Sequence, residues 1–360
     1  MQSGYFYPLL PKWDCAKQSK SKSSTMKVYV DPACDILYTS LYIEGLRRLY
    51  GKNAVKFTSE YFRGFRHNND YVCMIFEGED GSRCKVAIDF GDSKSFRMGA
   101  YEWSDVYAKV NLTQEDHQAY PKSFPIGPVG PGVRIFSLPG TLIRGSLNFL
   151  AAFGRIPDKK RFISDYKAQL RRLPYERYLS TGVANTDYVH FVTSIWKNDP
   201  ETNAYRADFM RAVKGMPGLH FEGGFAPRPD KVYLGYDDLI GESFEPLEVY
   251  MGKIMRSLVV FNTPAVKKCH GWKLPEFLAW GKAIISTPLM RMLPAPLVDG
   301  EHLLITDGSR EDMERKIRLL MNEPELRHKL EQNAHRYYME YLAADRVIVR
   351  ILERAGFVSR

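Results

Sequence analysis

The sequence has few of the features that mark secreted or membrane-spanning proteins. Its five cysteines form no CxxC pair, and an odd number in a chain of 360 residues argues against a disulfide framework. No stretch reaches the roughly 18 apolar residues that a membrane-spanning helix needs. The nearest approach, "GSLNFLAAFGRI" from Gly145, predicts a short buried or interfacial helix. These absences favour a reducing compartment and a cytoplasmic protein.

Several catalytic and ligand-binding motifs are also missing. The sequence contains neither the GxSxG nucleophile motif nor the GxxxxGK[ST] phosphate loop. Its His and Cys residues do not have the spacing of zinc ligands, and the acidic pair Asp237 and Asp238 stands without further acidic support. We therefore expect a protein that uses no metal and no other cofactor.

The charge balance is basic, with 51 Lys and Arg residues against 42 Asp and Glu, and it forms no single continuous block. A net charge of +9 suits an anionic ligand, a nucleic acid or an acidic membrane surface. We expect no nucleic-acid partner, because the sequence has no RRM, KH or helix-turn-helix pattern and its aromatic residues lie mostly in apolar runs.

The order of apolar segments predicts an α/β protein with two domains. In the second half, strand-like runs such as "DYVHFVTSI" and "LVVFN" alternate with amphipathic helices, which is typical of βαβ units and a parallel sheet. The first half is less regular, with a hairpin expected at Asp80-Gly81. We place a flexible leader at 1–25, domains at 26–178 and 179–345, and a last helix at 346–360, with a return of this helix to the first domain left open.

One basic loop stands out between the strands "LVVFN" and "AIIST". It runs from Thr263 to Lys273, longer than the usual two to six residues of such a connection, and leads into a short helix. In open α/β sheets, ligands bind where strands end at their carboxyl side. A lysine beside a helix N-terminus is unfavourable unless an anion lies between them, and Gly271 permits close backbone approach. The loop therefore predicts a diphosphate site, and the alternative is a solvated Lys273 with a simple turn at Gly271.

At these residues the chain resembles a known family. "GWKLPEFLAWGKAIISTPL", "LVDGEHLLIT" and "NEPELRHKLEQNAHRYY" resemble the C-terminal half of GT-B-fold glycosyltransferases of the retaining family 4, over roughly residues 185–345. The resemblance implies two Rossmann-like domains that face each other across a cleft. It also implies transfer of a sugar from a nucleoside diphosphate sugar to a hydroxyl of a glycan or lipid-linked acceptor, with retention and without metal.

The resemblance also implies a set of donor-binding residues. Glu276 matches the second Glu of the family's E-x7-E motif, which holds the ribose hydroxyls, whereas Lys268 stands where the first Glu should be and leaves the donor sugar open. Basic residues after the first strand of this domain bind the diphosphate in the family. The predicted donor site therefore comprises Lys197, Arg206, Gly271, Trp272, Lys273, Leu274 and Glu276.

Three residues are candidates for catalysis. His270 lies in the basic loop, where we expect it to orient substrate or contact phosphate more readily than to act as a base. Asp31 and Asp89 end predicted strands of the first domain, so either could orient the acceptor, or serve as base in an inverting enzyme. Two further alternatives stay open: a degenerate, non-catalytic sugar-nucleotide or glycan-binding protein, and peripheral contact with the inner face of a membrane.

Overall fold

A computed structural model describes residues 26–128, 130, 132–241 and 245–357. The leader expected at 1–25 lies outside these residues. The first half of the described chain forms one six-stranded sheet in the order β2-β1-β3-β4-β5-β6. Its strands are β1 (Lys27–Val30), β2 (Val55–Phe57), β3 (Tyr71–Glu77), β4 (Arg83–Asp89), β5 (Val106–Lys109) and β6 (Ser123–Pro125).

All pairs in this sheet are parallel except those made by β3, which runs antiparallel to both of its neighbours. β3 and β4 form the predicted hairpin, whose turn is closed by a hydrogen bond from the Gly78 amide to the Ser82 carbonyl and has Gly81 at φ +80°. The hairpin prediction at Asp80-Gly81 is therefore confirmed. Glycine suits this position because a positive φ strains other residues.

The first helix shows how local sequence fixes an element here. α1 (Ile36–Tyr50) begins at Asp35, whose carboxylate accepts hydrogen bonds from the Leu37 and Tyr38 amides. An Asp at this position satisfies amides that lack a partner within the helix. α1 ends at Gly51, which has φ +81°. The other helices of this half are α2 (Met98–Trp103), α3 (Gln114–Ala119), α4 (Leu138–Ala152), α5 (Lys159–Leu170) and α6 (Tyr175–Tyr178).

The second half forms two short parallel sheets that lie side by side. Their strands are β7 (Tyr188–Thr193) and β8 (His220–Phe225) in one, and β9 (Val260–Asn262), β10 (Ile284–Ser286) and β11 (Leu304–Ile305) in the other. β7 is joined to the segment before β9 by hydrogen bonds from the Leu258 amide to the Tyr188 carbonyl and from the His190 amide to the Ser257 hydroxyl. The five strands thus form one open layer.

Helices cover this layer in the alternation that the sequence predicts. They are α7 (Pro200–Lys214), α8 (Leu247–Arg256), α9 (Lys273–Ala279), α10 (Arg310–Asn322) and α11 (Pro324–Tyr337), and one more helix follows, α12 (Ala344–Arg354). Strands alternating with helices around parallel sheets give a Rossmann-like layer. The predicted α/β class with two Rossmann-like domains is confirmed.

The last helix packs on the first half of the chain. α12 lies against α1 so closely that a Cβ at Gly45 would stand 2.0 Å from the Ala344 carbonyl oxygen, and this contact therefore requires glycine. The Arg350 guanidinium also donates a 3.0 Å hydrogen bond to the Pro125 carbonyl at the end of β6. In the described part of the chain, every helix is too short or too polar to cross a bilayer.

Candidate functional site

The candidate site lies where loops at the carboxyl end of the six-stranded sheet meet loops at the carboxyl end of the second-half layer. The His270 amide, in the loop after β9, donates a 2.9 Å hydrogen bond to the Asn111 side-chain oxygen, which follows β5. The Trp272 ring stands edge-on to Tyr38, with 4.7 Å between ring centroids. These contacts bring the carboxyl edges of both sheets face to face. Ligands of open α/β sheets bind at such edges.

Lys273 begins α9 and points back to β7. Its ammonium donates a hydrogen bond to the Val192 carbonyl and lies 4.8 Å from the centre of the Phe191 ring. Burial, with a smaller contribution from the charge of Arg206, lowers the pKa of Lys273 to about 7, although the nearby Glu276 opposes this shift. The amine therefore loses its proton more readily than that of an ordinary lysine.

Arg206, on α7, occupies the same end of β7. Its guanidinium is buried and donates a 2.9 Å hydrogen bond to the Ser194 carbonyl, two residues beyond the carbonyl that Lys273 contacts. Burial lowers the pKa of Arg206 to about 10. Among residues 26–128, 130, 132–241 and 245–357, neither Lys273 nor Arg206 forms an ion pair with a carboxylate. Two cations with only carbonyl partners create a positive site that would attract an anion.

Glu276 lies in the first turn of α9 and is 6% exposed. Burial raises the pKa of Glu276 to about 7, against the opposing effect of the nearby Arg172 and Lys273 charges. No hydrogen bond to its carboxylate is found within the described part of the chain. A buried carboxylate without hydrogen bonds is costly, so this group is suited to a ligand that donates them.

The other residues predicted around α9 have different environments. Trp272 packs between Tyr38 and the Arg172 guanidinium, which lies 5.0 Å from its ring centre. Leu274 is fully buried in the core that joins the two halves. Gly271 faces open space, since a Cβ there would meet only the Ala265 side chain at 3.9 Å. Trp272 thus borders the site, whereas Leu274 supports it from below.

Lys197 lies apart from this group of contacts. Its exposed ammonium forms a 2.7 Å ion pair with Asp230, which Arg228 also holds at 2.9 Å. The structure therefore brings Lys273, Arg206 and Glu276 together at the end of β7 and places Lys197 on a surface loop with Asp230. A metal site is not evident either, because no three or more His, Cys, Asp or Glu side chains of the described residues are grouped to hold an ion.

The two predicted carboxylates of the first half are held in ion pairs. Asp31 accepts two hydrogen bonds from the Arg155 guanidinium, at 2.8 and 3.0 Å. Asp89 is bonded by the Lys109 ammonium at 2.7 Å and by the Tyr107 hydroxyl at 2.6 Å. Burial raises the pKa of both carboxyl groups, and the paired cations oppose this rise. Both groups have the environment of buried structural ion pairs.

His270 is buried and uncharged at neutral pH. Burial lowers its pKa to about 4, and its Nε2 lies 3.3 Å from the Met292 carbonyl. A neutral ring with its proton on Nε2 donates to that carbonyl and leaves Nδ1 as an acceptor. His270 therefore fixes the loop through Asn111 and Met292 and presents one acceptor nitrogen.

Two residues of the site carry no motif in the sequence. Arg172 stands at the expected domain boundary, yet it covers the Trp272 ring and attracts the Glu276 carboxylate. Asn111 holds the His270 amide. A signal for Asn111 does exist, because it is a polar residue close to the end of the apolar run "VYAKVNL", and Asp31 and Asp89 also lie at strand ends.

Comparisons with known proteins give matches in structure only. No protein-family model and no curated protein matches the chain. The C-terminal domain of a group 1 glycosyl transferase from Francisella tularensis is 15% identical, over 47% of this chain and 90% of that one, with a TM-score of 0.32. A glycosyltransferase from Rickettsia africae is 9% identical over 70% of this chain and 63% of that one, with a TM-score of 0.42.

A third similar structure is Anabaena HepE in complex with UDP-glucose. It is 12% identical, over 72% of this chain and 80% of that one, with a TM-score of 0.37. These similar structures are glycosyltransferases or carry a nucleotide sugar. Because their identities are at most 15% and their TM-scores lie below 0.5, the function of this chain has to be argued from its own residues.

Proposed function

We propose that the chain is a glycosyltransferase that moves a sugar from a nucleoside diphosphate sugar to a hydroxyl of a glycan or lipid-linked acceptor. The observation that carries this proposal is the pair of cations, Lys273 and Arg206, which are bonded to nearby carbonyls at the carboxyl end of β7 and form no ion pair with a carboxylate of the described residues. A diphosphate supplies the missing negative charge. In this proposal the transfer retains the anomeric configuration, needs no metal and takes place in the cytoplasm.

The two cations suit both binding and chemistry. Charge-assisted hydrogen bonds to phosphate oxygens are stronger than neutral ones, and an approaching anion favours the charged form of Lys273. In sugar transfer, negative charge grows on the departing diphosphate as the glycosidic bond breaks. Fixed cations at that position stabilise the transition state more than the ground state. Lysine and arginine thus do here what a metal ion does in other transferases.

Glu276 completes the donor site in this proposal. Its ionised carboxylate is an acceptor with two oxygens, which matches the two hydroxyls of a ribose. The group lies one helical turn beyond Lys273 and is within reach of its charge. A nucleotide with its diphosphate at Lys273 and its ribose at Glu276 would satisfy both groups. Trp272 and Arg172 would border the bound donor.

The environment of the carboxylates supports retention over inversion. An inverting enzyme needs a carboxylate base with a free oxygen near the acceptor. Asp31 and Asp89 are instead committed to Arg155, Lys109 and neighbouring hydrogen-bond donors. In a retaining transfer the departing phosphate can take the acceptor proton, so no protein base is required. His270 then orients the loop through its neutral ring.

One observation favours a second candidate, a binding protein without activity. Lys268 occupies the position of the first Glu of the E-x7-E motif and adopts a left-handed φ of 59° on the loop. A lysine there cannot accept hydrogen bonds from donor-sugar hydroxyls. Lys268 in place of this Glu would explain why such a protein binds a nucleotide sugar but neither transfers nor hydrolyses it.

A donor screen tests the proposal. We expect one of the UDP-, GDP- or ADP-sugars to raise the melting temperature of the protein, in buffer that contains a chelator, because a ligand stabilises the state that binds it. CMP-sugars, which carry a single phosphate, should not raise it. Release of the free nucleotide on addition of glycan or lipid-linked acceptors then separates transferase from binding protein. If no donor shifts the melting temperature, the proposal is wrong; binding without any release supports the second candidate.

A further inference from the structure

The polarity of α4 is reversed relative to an ordinary surface helix. Its exposed face carries six large apolar residues, each at least 51% exposed, which we call the α4 patch: Leu138, Leu142, Ile143, Leu147, Leu150 and Phe153, just past the helix end. Its buried face is smaller and mixed: Ala152 and the half-buried Phe149 join the core, whereas Thr141 and Asn148 are polar. Asn148 donates a 2.8 Å hydrogen bond to the Tyr166 hydroxyl, and Thr141 lies against Gln169 of α5.

Packing among the described residues does not explain this arrangement. An amphipathic helix ordinarily turns its apolar face to the core, and monomeric proteins rarely expose contiguous apolar patches of this kind. The polar contacts of Asn148 and Thr141 fix the orientation of α4 on α5, so the patch is held outward. The only charged side chain of α4 is Arg144, which is half-buried over the Phe57 ring. The exposed face of α4 is therefore wholly uncharged.

Basic residues surround the α4 patch. The Lys159 ammonium lies 4.3 Å from the Phe153 ring centre, and the exposed Lys160 and Lys167 follow on α5. The loop with the exposed Arg63 and Arg66 lies beside the end of α4. We call these five residues the basic rim. Although the chain has no continuous run of like charge, residues 134–172 contain nine Lys and Arg against two Asp.

From this patch and its rim we infer that α4 docks the protein on an anionic lipid surface, with the apolar side chains inserted among the acyl chains and the basic rim at the headgroups. An interfacial helix combines such an apolar face with flanking cations and binds in the plane of the membrane. Polybasic segments are drawn to anionic lipid by the surface potential. The inference does not rest on the proposed sugar transfer, since it concerns a surface outside the site.

Charge complementarity selects this occupant over a second copy of the chain. A two-fold dimer through the α4 patch would place the same patch of each copy face to face and so bring the two basic rims together. Like charges at close range destabilise such an interface. An anionic bilayer instead offers the opposite charge around an apolar interior. The patch is about 20 Å long, the length of a helix of this size, which fits an interfacial segment.

Vesicle sedimentation tests the inference. We expect the full chain to sediment with vesicles of phosphatidylcholine and phosphatidylglycerol, to stay in the supernatant with phosphatidylcholine alone, and to be released as salt rises. A double variant, Leu142→Ser with Leu147→Ser, should bind about a hundredfold more weakly, because two leucines no longer enter the apolar region. Val183→Ser, which changes a more exposed apolar residue outside the patch, should bind like the unmodified protein.

The basic rim has its own variants. Lys159→Glu with Lys160→Glu should weaken binding to anionic vesicles by at least about tenfold, whereas Lys329→Glu, an exposed lysine of α11, should have little effect. All these side chains are exposed, so melting curves should stay unchanged. The inference is overturned if the unmodified protein ignores anionic vesicles or binds neutral ones equally well. It is also overturned if the leucine variant binds normally, or if that variant merely splits a dimer seen by analytical ultracentrifugation.

Discussion

The carboxyl edge of the six-stranded sheet, called here the first sheet, differs from that of the second-half layer, the second sheet, in how its buried charges are neutralised. On the first sheet the two predicted carboxylates each have a cation of their own: Asp31 is 2.8 Å from Arg155, and Asp89 is 2.7 Å from Lys109. These pairs are also bonded to amides and hydroxyls, so the charges cancel within the fold. These two carboxylates therefore need no ligand to balance them.

On the second sheet the buried charges have no such ion pairs among the described residues. The hydrogen bonds of Lys273 and Arg206 to these residues go to carbonyls at the end of β7, and Glu276 has no hydrogen bond from them. Burial moves the pKa values of Lys273 and Glu276 toward neutrality. Perturbed groups of this kind mark functional sites more often than neutralised pairs do. The buried ion pairs of the first edge therefore stabilise the fold, whereas the charges of the second edge are suited to binding an anion.

The largest effect on the free energy of unfolding is expected when one of the buried ion pairs is broken. Lys109→Met leaves the Asp89 carboxylate buried without its cation, and removing one partner of a buried pair costs about 3–5 kcal/mol. We therefore expect the free energy of unfolding, measured with urea at neutral pH, to fall by about that amount. Lys94→Met, at an exposed lysine nearby, should change it little. A loss below about 1 kcal/mol for Lys109→Met would contradict the structural role of this edge.

The pH dependence of nucleotide binding should reflect the titration of Lys273 and Glu276. Phosphate binding needs charged Lys273, whose pKa of about 7 makes the amine neutral above that pH, so affinity should fall on the alkaline side. Ribose binding needs ionised Glu276, whose pKa of about 7 makes it protonated below that pH, so affinity should fall on the acidic side. Far from the optimum, each limb should approach a tenfold change per pH unit.

Single substitutions separate the two limbs of this profile. Glu276→Gln should abolish the acidic limb and leave the alkaline one, whereas Lys273→Met should do the reverse. Titration calorimetry from pH 5.5 to 8.5, a range of roughly 1.5 units on each side of these pKa values, measures both. An identical profile in all three proteins would assign the pH dependence to the nucleotide alone.

The smallest effect is expected when the unpartnered cation itself is removed. Lys273→Met should change the free energy of unfolding by less than about 1 kcal/mol, because the amine has no carboxylate hydrogen bond to lose and the methionine keeps the apolar contact with Phe191. Urea unfolding without nucleotide measures this. A loss as large as that of Lys109→Met would mean that both edges serve stability alike.

Much of the fold could be predicted from the sequence, because local patterns determine it. The alternation of apolar runs with amphipathic helices indicates parallel β/α units, and Gly51 and Asp80-Gly81 mark a helix end and a turn through their backbone freedom. The outward polarity of α4 could not be read in this way. The run "GSLNFLAAFGRI" shows an apolar helix, but only the contacts of Asn148 and Thr141 with α5 determine which face is buried.

The candidate site could be predicted in part. The loop before α9 indicates Lys273 and Glu276 from the position of their charges beside a short helix, and the structure places both at the end of β7. Sequence order does not show which distant side chain neutralises a carboxylate. Arg155, far along the chain from Asp31, and Arg172, beside Trp272, are therefore found only in three dimensions.

Calorimetric titration with UDP, GDP and ADP in the presence of a chelator tests most directly whether the cations at the end of β7 bind a diphosphate. Lys282→Met is the matched control, because Lys282 is also a buried lysine with its amine on a carbonyl, that of Met255. We predict that one diphosphate binds the unmodified protein and Lys282→Met equally, and Lys273→Met about tenfold to a hundredfold more weakly. Equal binding by Lys273→Met, or no binding of any diphosphate to the unmodified protein, would contradict the account.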